Sequence, residues 1–189
     1  MYMNQLNYIK EEATVYHVVT ERPMYEGQSI VFDDEHHNSV YHRVMTCKRI
    51  LAGENVTGDL ADFIRTDLDK WSKVTYRELS LEKVRKEEFP QYPSRMACLY
   101  TSQTLNEAKQ WAKFFEEIGR NVFSIVKLKV NGSIFSGDAC NCFDGVSEES
   151  VNDLKSRNYW RIARLYDNPV IETLVNGEIL VDKIIEEYR

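Results

Sequence analysis

Asparagine followed directly by glycine occurs twice in this chain, at Asn131-Gly132 and Asn176-Gly177, each time between runs of apolar residues. Val122, Ile125 or Val126, Leu128 and Val130 precede the first pair at strand spacing, and Ser133-Ile134-Phe135 follows it. Val170-Ile171-Glu172-Thr173-Leu174-Val175 precedes the second, and Glu178-Ile179-Leu180-Val181 follows it. Asn and Gly both tolerate positive φ, so this dipeptide between alternating runs predicts a two-residue hairpin of type I′. Two such turns imply that the later part of the fold is antiparallel sheet.

Earlier in the chain, strands alternate with helices. Thr14-Val15-Tyr16-His17-Val18-Val19-Thr20 is β-branched and aromatic and reads as a mostly buried strand, with Ser29 to Phe32 a short second one. Leu60, Phe63, Ile64, Leu68 and Trp71 recur at helical spacing behind Asp59, and a further helix is expected from about Leu81 to before Pro90. Met96 to Thr101 reads as a strand. Thr104 with Glu107 three residues on then forms a capping box for a helix whose apolar face is Ala108, Trp111, Ala112 and Phe115, closed by Gly119. Another helix is expected near Ser147 to Arg157. The expected class is α+β with a mainly antiparallel sheet, in one domain covering residues 1–189.

Hydrophobic residues make up 43% and charged residues 29% of the chain, enough apolar surface for a folded core. A net charge of −6 argues against nonspecific binding to nucleic acid, which needs many cations against phosphate. The basic run Lys83, Arg85, Lys86 to Arg95 is interrupted by Glu87 and Glu88 and reads as a solvated helix face. Met1 to Lys10 lacks the apolar region of a signal peptide, and no apolar run reaches a membrane span, so a cytoplasmic location without membrane contact is expected. Cys47, Cys98, Cys140 and Cys142 are too scattered for a disulfide framework. His36, His37 and His42 beside Asp33, Asp34 and Glu35 fit no recognised ligand spacing, so no metal is expected. Neither a Gly-rich dinucleotide fingerprint nor a P-loop is present.

Three polar residues stand in apolar settings: His17 in the first strand, Tyr100 at a strand end, and Glu172 in a late strand. Singly, each has an ordinary reading, as a hydrogen-bonded strand histidine, an amphipathic tyrosine and a solvent-directed carboxylate. Glu172, however, shares its strand face with Val170 and Leu174, an unusual setting for a carboxylate directed to water.

Taken in order, Tyr16-His17 in the first strand, Leu99-Tyr100-Thr101-Ser102 running into a helix with Ala108 and Trp111, and Glu172 in a late strand resemble the His-Tyr-Glu pattern of ADP-ribosyltransferases. The branch resembled is that of diphtheria toxin and the poly-ADP-ribose polymerases. Leu99 to Trp111 is also similar to the rifampicin ADP-ribosyltransferases, and the chain resembles an uncharacterised bacterial family grouped with that fold. The resemblance implies split, mainly antiparallel sheets with flanking helices. It also implies NAD as co-substrate, cleaved between nicotinamide and ribose, with ADP-ribose passing to an acceptor more readily a protein or small molecule than nucleic acid.

In that reading Glu172 stabilises the oxocarbenium-like ribose, Tyr100 and Trp111 face the cationic nicotinamide ring, and His17 donates a hydrogen bond to a ribose hydroxyl. The backbone of Val18 holds the carboxamide where relatives often carry Gly, and Ala108 stands near a position that is Ser in the polymerases. Two alternatives keep the same fold: NAD glycohydrolysis, with water as acceptor, and a noncatalytic module that binds NAD or a nucleotide.

Overall fold

The computed structural model describes residues 13–188 and holds five helices and two antiparallel sheets, an α+β fold. These residues divide into two compact units. The first comprises 13–36, Cys98–Ser136 and 171–188; the second comprises His37–Ala97 and Gly137–Val170.

The first unit is built on strands. One sheet has the order β1 (Ala13–Val19), β4 (Ser124–Asn131), β7 (Gly177–Glu187), β2 (Ser29–Phe32). The other has the order β3 (Leu99–Thr101), β6 (Ile171–Val175), β5 (Ile134–Asp138), with Gly137 and Asp138 belonging to the second unit. Alternation along β1 and β4 sends Val15, Val19, Val126, Leu128 and Val130 into one buried cluster with Ile179 and Val181. On the opposite face Val18 and Ile125 pack against Ala108 and Ala112 of α4 (Leu105–Glu117), where small side chains let the helix approach closely. This helix starts at the expected capping box of Thr104 and Glu107, and Gly119 follows it with φ 76°.

Neither Asn-Gly pair makes a hairpin. β4 and β5 lie in different sheets, as do β6 and β7. A type I′ turn needs positive φ at both central residues, and of these four residues only Gly177 has it, at 80°. What the pairs make instead is a crossing. Asn131 lies opposite Glu178 in the β4–β7 register, Ser133 N–H donates to Asn176 Oδ1 at 2.9 Å, and Asn176 N–H donates to the Ser133 carbonyl oxygen at 3.2 Å. A Cβ on Gly132 would collide with the Asn176 carbonyl, and one on Gly177 with the Asn131 carbonyl. Each pair thus packs against the other Asn-Gly pair rather than folding back on its own flanking strand.

The second unit holds α1 (Ser39–Leu51), α2 (Asp59–Arg65), α3 (Leu68–Glu88) and α5 (Glu149–Trp160). The helical pattern from Leu60 to Trp71 is broken at Thr66 and Asp67, and α3 begins at Leu68, capped by Asp67 and continuous to Glu88. The helix expected from about Leu81 is therefore the second half of α3, whose middle escapes apolar periodicity because Thr75, Glu78 and Ser80 occupy buried positions. The charged run is a solvated face only in part: Lys86, Glu87 and Glu88 are exposed, whereas Arg85 is half-buried and Arg95 is buried. Glu78, 1% exposed, accepts from Arg77 at 2.9 Å and from Arg95 at 3.0 Å, and Arg95 also donates to the Tyr159 hydroxyl. Lys83 pairs with Asp153 and Glu149, and Arg157 and Arg161 pair with Glu88, joining α3 to α5. Burial opposes ionisation of Glu78, but the two guanidinium groups outweigh it and hold the carboxyl below its ordinary range.

Two substitutions test these packing arguments. Gly132→Ala destabilises the protein by about 3 kcal/mol or more in urea unfolding, because the obstructing atoms are backbone and cannot rotate away. Glu78→Gln lowers stability by about 3–5 kcal/mol, because the buried Arg95 and the partly buried Arg77 lose their countercharge.

Candidate functional site

A candidate site forms within the first unit where β1 and β3 part. Tyr16 N–H donates to the Ser102 carbonyl oxygen at 2.9 Å, and Ser102 N–H returns a bond to Tyr16 at 2.8 Å, an isolated antiparallel bridge. Backbone groups alternate in direction along a strand. Tyr100, two residues before Ser102, therefore turns its N–H and C=O toward β1, and Val18, two residues after Tyr16, turns its own toward β3. In a continuing ladder Val18 N–H would donate to the Tyr100 carbonyl. The imidazole of His17 takes that oxygen instead, with Nδ1 at 2.8 Å. The N–H and C=O of Val18 consequently lie at the edge of β1 that β3 leaves.

A carbonyl oxygen only accepts, so Nδ1 carries the proton and Nε2 of the neutral ring is an acceptor. This alters the role implied for His17, whose neutral ring would accept from a ribose hydroxyl rather than donate to it. Protein atoms crowd the imidazole, and burial pushes its pKa below the ordinary 6.5 although the Tyr100 carbonyl and Glu21 favour the charged form; Arg120 adds to the depression.

Tyr100 and Glu172 share one face of the three-stranded sheet. Tyr100 lies opposite Leu174 in the antiparallel register, and Glu172 is two residues from Leu174 on the same side. Leu174 is fully buried and Glu172 is 9% exposed. Val170 does not share this face: it precedes the strand, is 43% exposed, and its N–H donates to Asp138 Oδ1. On the other face Thr101 Oγ1 donates to the Thr173 carbonyl at 2.9 Å, and the Ser136 and Thr173 hydroxyls bond at 2.8 Å, so hydrogen bonds hold β3 and β5 to the central strand.

Trp111 is partly buried on α4, edge-on to Phe114 with ring centroids 5.8 Å apart and tilted against Phe115 at 5.7 Å. Its indole Nε1–H donates to the Ile171 carbonyl oxygen at 3.0 Å. That bond, and the Ser102 bridge that ends the ladder, were not among the features read from the sequence. Capping residues were the available signal for both, since they mark where β3 must stop. Ala108 is fully buried against Val18 and Ile125.

The histidine-rich stretch takes a different form from a ligand cluster. His36 Nδ1 lies 2.7 Å from Asp33 Oδ1, whereas His37 stacks on Tyr41 with centroids 3.8 Å apart. Among the described residues no group of three or more His, Cys, Asp or Glu is arranged to hold a metal ion. No helix of the described residues is long and apolar enough to cross a membrane.

The chain belongs to the family described as protein of unknown function (DUF2441), whose pattern matches residues 15–187, the span that holds His17, Val18, Tyr100, Trp111 and Glu172. No curated protein matches it.

The pKa of His17 sets a pH dependence. As pH falls, the unfolded chain protonates this histidine near 6.5 while the folded chain resists. Its contribution to stability is therefore full above 6.5 and is lost as pH falls from there through the depressed folded value. NMR titration is expected to place the His17 ring pKa below 6.5, and His17→Gln to flatten the loss of stability as pH falls below 6.5. A ring that titrates above 6.5 would contradict the neutral form.

Proposed function

We propose that the first unit binds NAD and transfers its ADP-ribosyl group to an acceptor, releasing nicotinamide. The observation that carries this reading is the parting of β1 from β3, where the His17 ring holds the Tyr100 carbonyl while Tyr100 and Glu172 occupy one face of the adjoining sheet. The bond broken joins the ribose to the nicotinamide nitrogen; the bond formed joins the ribose to an acceptor oxygen or nitrogen, whose proton is released. Electron density leaving with nicotinamide builds positive charge on the sugar, and a carboxylate in a poorly hydrated setting stabilises that charge more than water would. Glu172 takes this part.

Recognition falls to the neighbouring groups. Tyr100 offers an aromatic face to the cationic ring, with Trp111 as the second aromatic. Val18 offers a backbone donor and acceptor to the carboxamide, which needs one of each. His17, neutral with Nε2 free of a proton, accepts from a ribose hydroxyl. The acceptor is a protein or small molecule in preference to nucleic acid, since a net charge of −6 disfavours nonspecific binding of a long polyanion. A cytoplasmic location goes with this reading, supported by four free thiols.

A second reading, a module that holds NAD or a nucleotide without turning it over, draws support from Val18 and Ala108. These stand where ADP-ribosyltransferases often have Gly and Ser.

Incubation of the full chain with NAD separates the two. Wild type is expected to release nicotinamide, with water as the default acceptor, and Glu172→Gln to release it about 100-fold more slowly or less while still binding NAD. Equal release by both would remove Glu172 from the chemistry. NAD binding with no release by either would favour the module.

A further inference from the structure

We infer that Trp111 is a positioning residue for Glu172, acting through its indole N–H on the peptide unit that joins Ile171 to Glu172. This rests on the NAD reading above, and it assigns Trp111 a task separate from offering an aromatic face.

Ser102 and Tyr100 turn their backbone groups toward β1, so Leu99 and Thr101 turn theirs toward β6, opposite Val175 and Thr173. By the same alternation along β6, the Ile171 carbonyl also points to the β3 side. A longer β3 would answer it with the N–H of Gln103. That donor is already engaged, because Gln103 N–H bonds Glu107 Oε2 at 3.1 Å as part of the cap that starts α4. The Ile171 oxygen is answered instead by Trp111 Nε1–H at 3.0 Å. A side chain two turns into the helix thus replaces a ladder bond at the residue before Glu172.

The replacement has two consequences. The strand carrying Glu172 is tied to α4 and not to β3 at this point, so the carboxylate position follows the helix. The indole itself is fixed by its bond and by its contacts with Phe114 and Phe115, so its plane is set before any ligand arrives. Phenylalanine at 111 would retain an aromatic face and lose the donor, leaving the Ile171 carbonyl without this partner.

The test compares wild type and Trp111→Phe, with melting temperature checked first and amide hydrogen exchange read at Glu172 and Thr173. Exchange there is expected to be faster in the variant. NAD affinity by calorimetry is expected to stay within about threefold, because the aromatic face remains, while single-turnover nicotinamide release falls about tenfold or more through misplacement of the carboxylate. Release at the wild-type rate, or a loss of affinity that matches the loss of rate, overturns the positioning role. Unchanged exchange at Glu172 overturns the tether itself, whatever NAD does. Failure of the NAD reading shows separately, as wild-type protein that neither binds NAD nor releases nicotinamide.

Discussion

Two peptide corners pressed together without room for a Cβ determine the arrangement of the first unit. The segments 124–138 and 171–187 run beside each other, and at Asn131-Gly132 and Asn176-Gly177 both change sheet at once. Only glycine allows the backbone carbonyl of each chain to lie against the other. Were the two strands to continue straight, β4 through β7 would form one sheet, and β6 would not stand beside β3 with Glu172 in its interior. The close approach is thus what gives a buried carboxylate a strand to sit on and a neighbouring strand with Tyr100.

A second competition, for hydrogen-bond partners, opens the edge of β1. Ser102 accepts and donates to Tyr16, after which the His17 ring occupies the next carbonyl and the sheet stops there. Polar side chains that offer the backbone an alternative to the ladder usually end strands at loops. Here the alternative lies within a strand, and β1 keeps backbone donor and acceptor groups at the edge that β3 leaves.

Local chemistry was legible in the sequence wherever a residue acts on its own neighbours. The β-branched run of β1, the Thr104–Glu107 cap and the Gly119 stop all appear where the residue types put them. The Asn-Gly pairs misled because their contact was not local. Helix α3 was hard to bound because Thr75, Glu78 and Ser80 fill core positions with polar side chains, and the partners of Glu78 and Ser80, which are Arg95, Asp153 and Ser156, lie elsewhere in the sequence. At the candidate site His17, Tyr100 and Glu172 stood out in the sequence as polar residues in apolar strands. The bond from His17 to a carbonyl, and that from Trp111 to Ile171, depend on backbone direction and could be read only from the fold.

The crossing also bears on how this chain ages. In an unfolded peptide, the amide nitrogen of a glycine attacks the side-chain carbonyl of a preceding asparagine, expelling ammonia and leaving a succinimide that opens to aspartate or isoaspartate. Rotation of the asparagine side chain onto that nitrogen is required. Asn176 has its side-chain oxygen bonded to Ser133 N–H, and Gly177 is packed against the Asn131 carbonyl, so neither group is free to turn. The dipeptide most prone to spontaneous deamidation is therefore protected by the same contact that divides the sheets, and chemical damage at Asn176 becomes a record of time spent unfolded.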